Sequence, residues 1–275
     1  MSNQYELARQ NMIEYNKCLT EYVSHLQARS SVERKQRFCS LRAFDEAIVD
    51  EAGIFYIGDM AEMLLPSFID KVGELGVISE TNKKPIFRGR WVIPIKDENG
   101  LVQNLVGYSP DADERYIYGT SKYYRRRETL YGLENLEMAY DLGYAFVTEG
   151  ITDTIRLRDI GYKNSFAMCG TTTSAHVLKQ LNRCRHGVIL IPDRDKAGRD
   201  AHKNWIYNRS ITIFVNFRYK DLDEMCSVYN AETNSKEKNL ENITLLSECA
   251  DYCIDWILSG QHNGYECERK QVTIA

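Results

Sequence analysis

Apolar side chains recur every three or four positions through residues 5–29 (Leu7, Ile13, Leu19, Tyr22, Leu26), which predicts a long amphipathic helix. Two short helical stretches follow, "FDEAIVDEAG" and "SFIDKVGELG". Each ends on glycine, the residue that most easily takes the left-handed turn closing a helix. The period then drops to two: "WVIPIKDENGLVQNLVGY" reads as two β-rich runs around Asn99-Gly100, a hairpin signal. The front of the chain is therefore expected to be α+β with at least one antiparallel pair.

Past residue 143 the pattern alternates between short buried runs and helical stretches of about ten residues. "YAFVTEG", "NSFAMCG", "GVILIPD" and "ITIFVNF" read as strands. Between them lie the helices "TDTIRLRDIG", "SAHVLKQLNRC" (Ser174 as N-cap) and "AGRDAHKNWIYN". This order implies right-handed βαβ units and an α/β fold, a parallel sheet flanked by helices on both faces. The expected organisation is an N-terminal α+β subdomain over 1–140, an α/β domain over 141–230 and a C-terminal helical segment over 231–275. No internal repeat is evident, and five prolines leave little room for a long flexible linker.

In parallel sheets, functional groups collect at the carboxyl ends of the strands. Glu149 closes the first strand here, with Gly150 for a tight turn and Asp153 one helical turn further on. Asp193 and Asp195, in "IPDRDKAGRDA", close the third, and Asp221 and Asp223, in "KDLDEM", follow the fourth. Any one of these acids reads as a helix cap or a surface charge. Together, at corresponding positions, they would converge on one sheet edge and repel one another unless a cation or a pair of arginines sits between them. Oxygen-only ligands select hard ions such as Mg2+ or Mn2+, and so many carboxylates suit two ions, or one ion and a general base.

The formal net charge is −4, the sum of +3 over residues 1–220 and −7 over 221–275. Within the front portion, "RYIYGTSKYYRRR" holds Arg115, Lys122, Arg125, Arg126 and Arg127 without an acid, interleaved with Tyr116, Tyr118, Tyr123 and Tyr124. Cations for phosphates and aromatic faces for bases suit a single-stranded nucleic acid; a solvated basic loop is the plainer alternative. Eight cysteines are scattered with no CxxC pair, so neither a disulfide framework nor zinc is expected, and Cys249 and Cys253 read as helix packing. No apolar run approaches a membrane span and the first residues lack a signal-peptide layout, so the expected location is the cytoplasm.

"VTEGITDTIRL", "CGTTTS", "IPDRDKAGRDA" and "KDLDE", in this order and spacing, resemble the Toprim domain of bacterial DnaG-type primases. "FRGRWVIPIKDENGLVQNLVGY" and "RYIYGTSKYYRRRETLYGL" resemble that family's RNA-polymerase core and its basic stretch leading into Toprim, and "AFDEAIVDEAGIFYIG" resembles its N-terminal core; coverage is about residues 40–230. The resemblance implies a DNA-directed RNA polymerase that makes short primers on single-stranded DNA from ribonucleoside triphosphates by metal-dependent nucleotidyl transfer. It places Glu149, Asp193 and Asp195 as catalytic, metal-associated acids and Asp153, Asp221 and Asp223 as the remaining acidic positions. It also assigns Arg90, Arg115, Tyr116 and Arg126 to template or nucleotide, within the same track as Lys122, Arg125 and Arg127.

Departures from the family pattern are Tyr118, where an Asn is usual, and Glu128, at a usually basic position. Neither a zinc ribbon nor a helicase-binding domain is recognisable, so a replicative helicase or a zinc-binding partner in trans would supply those functions. A Toprim nuclease would use the same acids for hydrolysis, with the basic segment 86–133 speaking for synthesis. A non-catalytic single-strand or nucleotide binder is the reading from another class. A topoisomerase would need a further tyrosine domain, and a haloacid-dehalogenase-like phosphatase would not place Glu149 upstream of its Asp pair.

Overall fold

The chain forms two compact units, Met1–Cys39 with Asp45–Arg125, and Ser40–Phe44 with Arg126–Ala275. A computed structural model describes residues 2–59, 63, 65–68, 70–71, 73–79, 84–169, 174–194, 212–259 and 269–274.

In the first unit, helix α1 (Ser2–Gln27) lies against a four-stranded antiparallel sheet of order β1-β2-β3-β4 (Phe55–Ile57, Arg90–Lys96, Val102–Tyr108, Tyr116–Tyr118). Leu19, Tyr22, Val23 and Leu26 meet Phe55, Ile57, Val92, Val102 and Leu105 in one core. The hydroxyls of Tyr15 and Tyr22 donate to the carbonyls of Leu75 (3.1 Å) and Met63 (2.9 Å), so these rings are buried without stranding a polar group. The apolar stripe of α1 reaches the core only from Tyr15 onward, and Leu7 is 62% exposed.

Helices α2 (Val32–Arg42) and α3 (Glu46–Glu51) follow α1. Residues 67–76, read as helical from sequence, form instead a 3-10 turn at Pro66–Phe68 and hydrogen-bonded turns up to Gly76 among the described residues. Gly73 within that stretch weakens it as a helix. The β2–β3 hairpin forms as expected, but Asp97 organises it: Oδ1 accepts from the amides of Asn99 (2.9 Å) and Leu101 (3.0 Å), with Gly100 left-handed at φ 78°.

The second unit carries a parallel sheet of order β11-β8-β7-β5-β6, with β5 Tyr144–Thr148, β6 Ser165–Ala167, β7 Gly187–Ile191, β8 Thr212–Phe217 and β11 Arg269–Ile274. Alternation along the strands splits its core by face. Ala145, Val147, Val188 and Leu190 pack with Leu130, Leu133, Leu136 and Val177, while Tyr144, Phe146, Ile189, Ile191 and Val215 pack with Leu222, Met225, Leu246 and Cys253. Helix α4 (Leu136–Leu142) and α6 (Ala175–Leu181) lie on the first face. Helices α7 (Leu222–Cys226) and α8 (Leu240–Leu258) lie on the second. Helix α5 (Ile151–Asp159) connects β5 to β6. Residues 126–140 thus pack with this unit through Leu130, Leu133 and Leu136.

The segment 231–275 is more than helical. Strand β10 (Ser235–Lys238) pairs antiparallel with β9 (Ser227–Asn230), and β11 extends the parallel sheet beside β8. These strands are too short and too polar to announce themselves by periodicity. No helix among the described residues is long and apolar enough to cross a membrane.

Gly132 shows how tightly this unit is assembled. Its φ is 99°, and a Cβ there would stand 2.3 Å from Arg158 Nη2 and 2.8 Å from the Ser165 carbonyl. Gly132→Ala is expected to lower unfolding stability by about 1–3 kcal/mol in urea titrations, with a smaller loss at Gly161, where a Cβ meets nothing within 4 Å.

Candidate active site at the carboxyl ends of the parallel strands

Strand β5 is the pivot of the sheet. The chain moves from β5 to β6 on one side, then returns to β7 on the other and continues outward to β8. The switch point of this doubly wound sheet therefore lies between β5 and β7, the place where crossover helices diverge and leave a crevice outside the strand ends. Thr148 and Ile191 are registered partners across these two strands. Glu149 is the next residue after Thr148, and Asp193 the second after Ile191. Since neighbouring strands run about 4.8 Å apart, two acids from distant parts of the chain are delivered to one rim of the crevice.

The turn after β5 is fixed locally. Thr148 Oγ1 meets Thr154 Oγ1 at 2.7 Å and the Gly150 carbonyl at 2.9 Å. A Cβ on Gly150 would lie 2.5 Å from Asp153 Oδ2, so glycine is what lets the Asp153 carboxyl fold back against the turn. The turn after β7 is tied to the segment after β8: the Arg194 amide donates to the Lys220 carbonyl at 2.9 Å, and Arg194 Nη1 to the Arg218 carbonyl at 2.5 Å. Asp221 caps α7 by accepting from the Glu224 amide at 2.8 Å, and the Asp223 amide donates to Asp153 Oδ1 at 3.2 Å.

Four of the six expected acids thereby influence one another. Asp153 is buried, and its pKa is raised well above the ordinary aspartate value by desolvation and then by the charges of Asp221, Asp193 and Asp223, with Arg42 opposing. Its stability contribution runs opposite to that of a salt-bridged acid. The folded chain holds this proton at pH values where the unfolded chain has lost it, so stability is lost as pH rises above the unfolded aspartate pKa. Asp153→Asn, neutral and nearly isosteric, is expected to resist urea better than the parent at pH 7.5 in EDTA. The difference should disappear toward pH 4.

Asp223 differs from the expectation of a metal ligand. Burial would raise its pKa, yet Arg42, Lys236 and Arg156 hold it below the usual value. Lys236 Nζ lies 2.6 Å and Arg42 Nη2 3.4 Å from Oδ2, and Arg156 Nη2 lies 3.3 Å from Oδ1. Its carboxylate is engaged by cations of the protein itself. Asp195 falls outside the described residues, as do Gly170–Thr173 of "CGTTTS" and the stretch "AGRDAHKNWIYN". Among the described residues no group of three His, Cys, Asp or Glu side chains is placed to hold a metal ion, and Asp195 is not among them. The donor chemistry still suits a hard divalent ion: oxygen only, with like charges crowded around Asp153 that a cation would relieve.

The basic residues divide between the units. In the first, Arg90 Nη1 donates to the carbonyls of Glu114 (2.9 Å) and Arg115 (3.2 Å), so part of its guanidinium secures the entry to β4. Arg115, Lys122 and Arg125 are exposed, Lys122 Nζ stands 5.0 Å over the Tyr123 ring, and Tyr116 packs at a tilt against Tyr108 with centroids 5.0 Å apart. Tyr118 and Tyr124 lie nearly parallel, with centroids 6.4 Å apart. In the second unit Arg126 Nε donates to the Cys169 carbonyl, and the Arg127 carbonyl accepts from the Ser174 amide at 3.1 Å. Arg126 is thereby committed in part to the loop after β6, beyond the phosphate role expected of it.

Residues 146–226 match the Toprim-like family model. The DNA primase of Thermotoga maritima is 24% identical over 227 residues, 77% of this chain and 40% of that protein. The E. coli primase catalytic core superposes with a TM-score of 0.62 at 19% identity, covering 93% of this chain and 92% of that one. A DnaG primase catalytic domain bound to single-stranded DNA superposes at 0.56 and 22% identity, covering 74% of this chain and 66% of that one. The chain has the fold of a DnaG-type primase catalytic core. It spans less than half the length of the curated Thermotoga relative.

The Toprim-like match contains Glu149, Gly150, Asp153, the Asp193–Asp195 pair, Asp221 and Asp223. It ends at Cys226, before the β9–β10 hairpin. The residues that sequence reading missed are Arg42, Arg156 and Lys236. Arg156 sits fully buried in α5, where an arginine between Ile155 and Leu157 carries no signal distinguishing it from a solvent-facing one.

Proposed function

We propose that this chain acts as a DNA primase, joining ribonucleotides on a single-stranded DNA template by divalent-ion-assisted nucleotidyl transfer. The observation that carries the reading is the delivery of Glu149 and Asp193 to adjacent strand ends at the switch point, with Asp153 and Asp221 behind them. The primase relatives and the single-strand complex of a DnaG catalytic domain support the choice of reaction and template. Glu149, Asp193 and Asp195 would hold the ions, with Asp153 and Asp221 as supporting acids. Bound there, Mg2+ or Mn2+ supplies neutralisation of the triphosphate and a lowered pKa for the attacking 3′-hydroxyl. The chain's own part is to orient: the strand-end turns fix the carboxylates, exposed Arg115, Lys122, Arg125 and Arg127 draw phosphates, and the tyrosines between them offer faces to bases.

Incubation with single-stranded DNA, four ribonucleoside triphosphates and Mg2+ or Mn2+ is expected to give short RNA. Nicking of the DNA without synthesis, or strand binding without product under either ion, overturns the reading. Lys122→Ala is expected to weaken strand binding alike across sequences and to reduce the salt slope by about 1, read by fluorescence anisotropy at several KCl concentrations.

A further inference from the structure

The acids Asp223 and Asp159 belong to a buried charged cluster on the flank of the acidic crevice. Arg156, fully buried, donates through Nη1 to Asp159 Oδ2 (2.9 Å) and the Ala43 carbonyl (2.8 Å), and through Nη2 to Asp223 Oδ1 (3.3 Å) and the Arg42 carbonyl. Its guanidinium lies 4.3 Å from the Phe44 ring centre. Arg42 and Lys236 complete the cations around Asp223, and Lys238 Nζ lies 3.1 Å from Asp159 Oδ2. Among the described residues, these contacts set four bases around two acids. The surplus of positive charge lies beside Asp153, which accepts the Asp223 amide.

The cations of this cluster hold Asp223 in place. Its side chain is 6% exposed, and cations contact both oxygens. Turning it onto a metal ion would strip the buried Arg156 guanidinium and the partly buried Arg42 and Lys236 of a shared counter-ion. Its backbone, by contrast, already serves the crevice through the bond to Asp153. Lys236 comes from the β9–β10 hairpin, outside the Toprim-like segment, so the hairpin completes the shell around these acids.

We propose that Asp223 is a positioning residue and not a metal ligand: its amide fixes Asp153, and its carboxylate anchors a cationic cluster, closed by Lys236, that offsets the negative charge of the crevice. This rests on the reading that Glu149, Asp193 and their neighbours hold a divalent ion.

The test is Mn2+ titration of the whole chain, following the paramagnetic resonance signal of free Mn2+, for the parent, Asp223→Asn, Lys236→Met, Lys236→Arg and the Asp223→Asn/Lys236→Met double variant. Asp223→Asn takes one counter-charge away from Arg42, Lys236 and Arg156 beside the crevice and should weaken Mn2+ binding about tenfold. The double variant restores the local charge balance, and should fold even where the single variant does not. It is expected to bind Mn2+ within about threefold of the parent, as is Lys236→Arg, because a lost counter-charge can be repaired by removing the opposite charge. A lost ligand cannot be repaired in that way, so a larger deficit in the double variant overturns the assignment while leaving the metal-site reading intact. Absence of Mn2+ binding by the parent overturns that reading and this inference with it.

Discussion

Glu149→Gln is expected to reduce primer synthesis by about 10²–10⁴-fold while leaving affinity for single-stranded DNA within about twofold of the parent. The substitution keeps the shape of a half-buried side chain at the end of β5 and removes only its charge and basicity. The turn it stands on is held by Thr148, Thr154 and Gly150 through hydrogen bonds that the substitution leaves in place. Strand affinity should persist because the phosphate contacts proposed above draw on the exposed basic residues of the 115–127 stretch and not on the crevice. The measurement pairs a single-turnover primer assay with anisotropy on a fluorescent oligonucleotide. Undiminished synthesis by Glu149→Gln would remove the glutamate from the chemistry. Equal loss of synthesis and strand binding would show that it acts through the fold.

How much of this was legible in the sequence depends on the kind of force involved. The parallel sheet could be read because strands buried on both faces leave continuous apolar runs such as "GVILI" and "YAFVT" between helices of regular length. The acids stood out because each follows such a run immediately, and chain order with the handedness of βαβ crossovers carries them to one edge. What sequence could not show is which charges face each other. Asp221 and Asp223 are two residues apart and chemically identical, yet one caps α7 and the other lies in a nest of cations. That difference is set by Arg42, Arg156 and Lys236, between 13 and 181 positions away from Asp223, and ion pairing has no periodicity to read. The same limit applies to Arg90 and Arg126. Positive charge in a tyrosine-rich stretch suggests phosphate, whereas part of each guanidinium is used on backbone carbonyls. Strand β11, six residues with one apolar alternation, is legible only beside β8.

The largest stability effect is expected at Arg156. Arg156→Met fills much of the same space with an apolar chain, but deprives Asp159 and Asp223 of a shared partner and leaves the Ala43 and Arg42 carbonyls without their guanidinium donors. Breaking one side of a buried ion pair costs about 3–5 kcal/mol, because the remaining charge stays in a poorly solvated site. Total stabilities run to only about 5–15 kcal/mol, so the variant should unfold at a far lower urea concentration. Arg158 offers the control: it too is buried, donating to Glu134 (3.0 Å) and the Ser165 carbonyl (3.0 Å), but Glu134 is partly exposed and can regain water when the arginine is lost. Arg158→Met should therefore cost less. A double-mutant cycle separates charge from packing. If Arg156 matters as a counter-ion, Asp223→Asn will cost less in the Arg156→Met background than in the parent. If its role is to fill volume, the two losses will add. The first result follows from the geometry, since Asp223 without Arg156 keeps Arg42 and Lys236 alone, and neutralising it then removes an acid that is already less well paired.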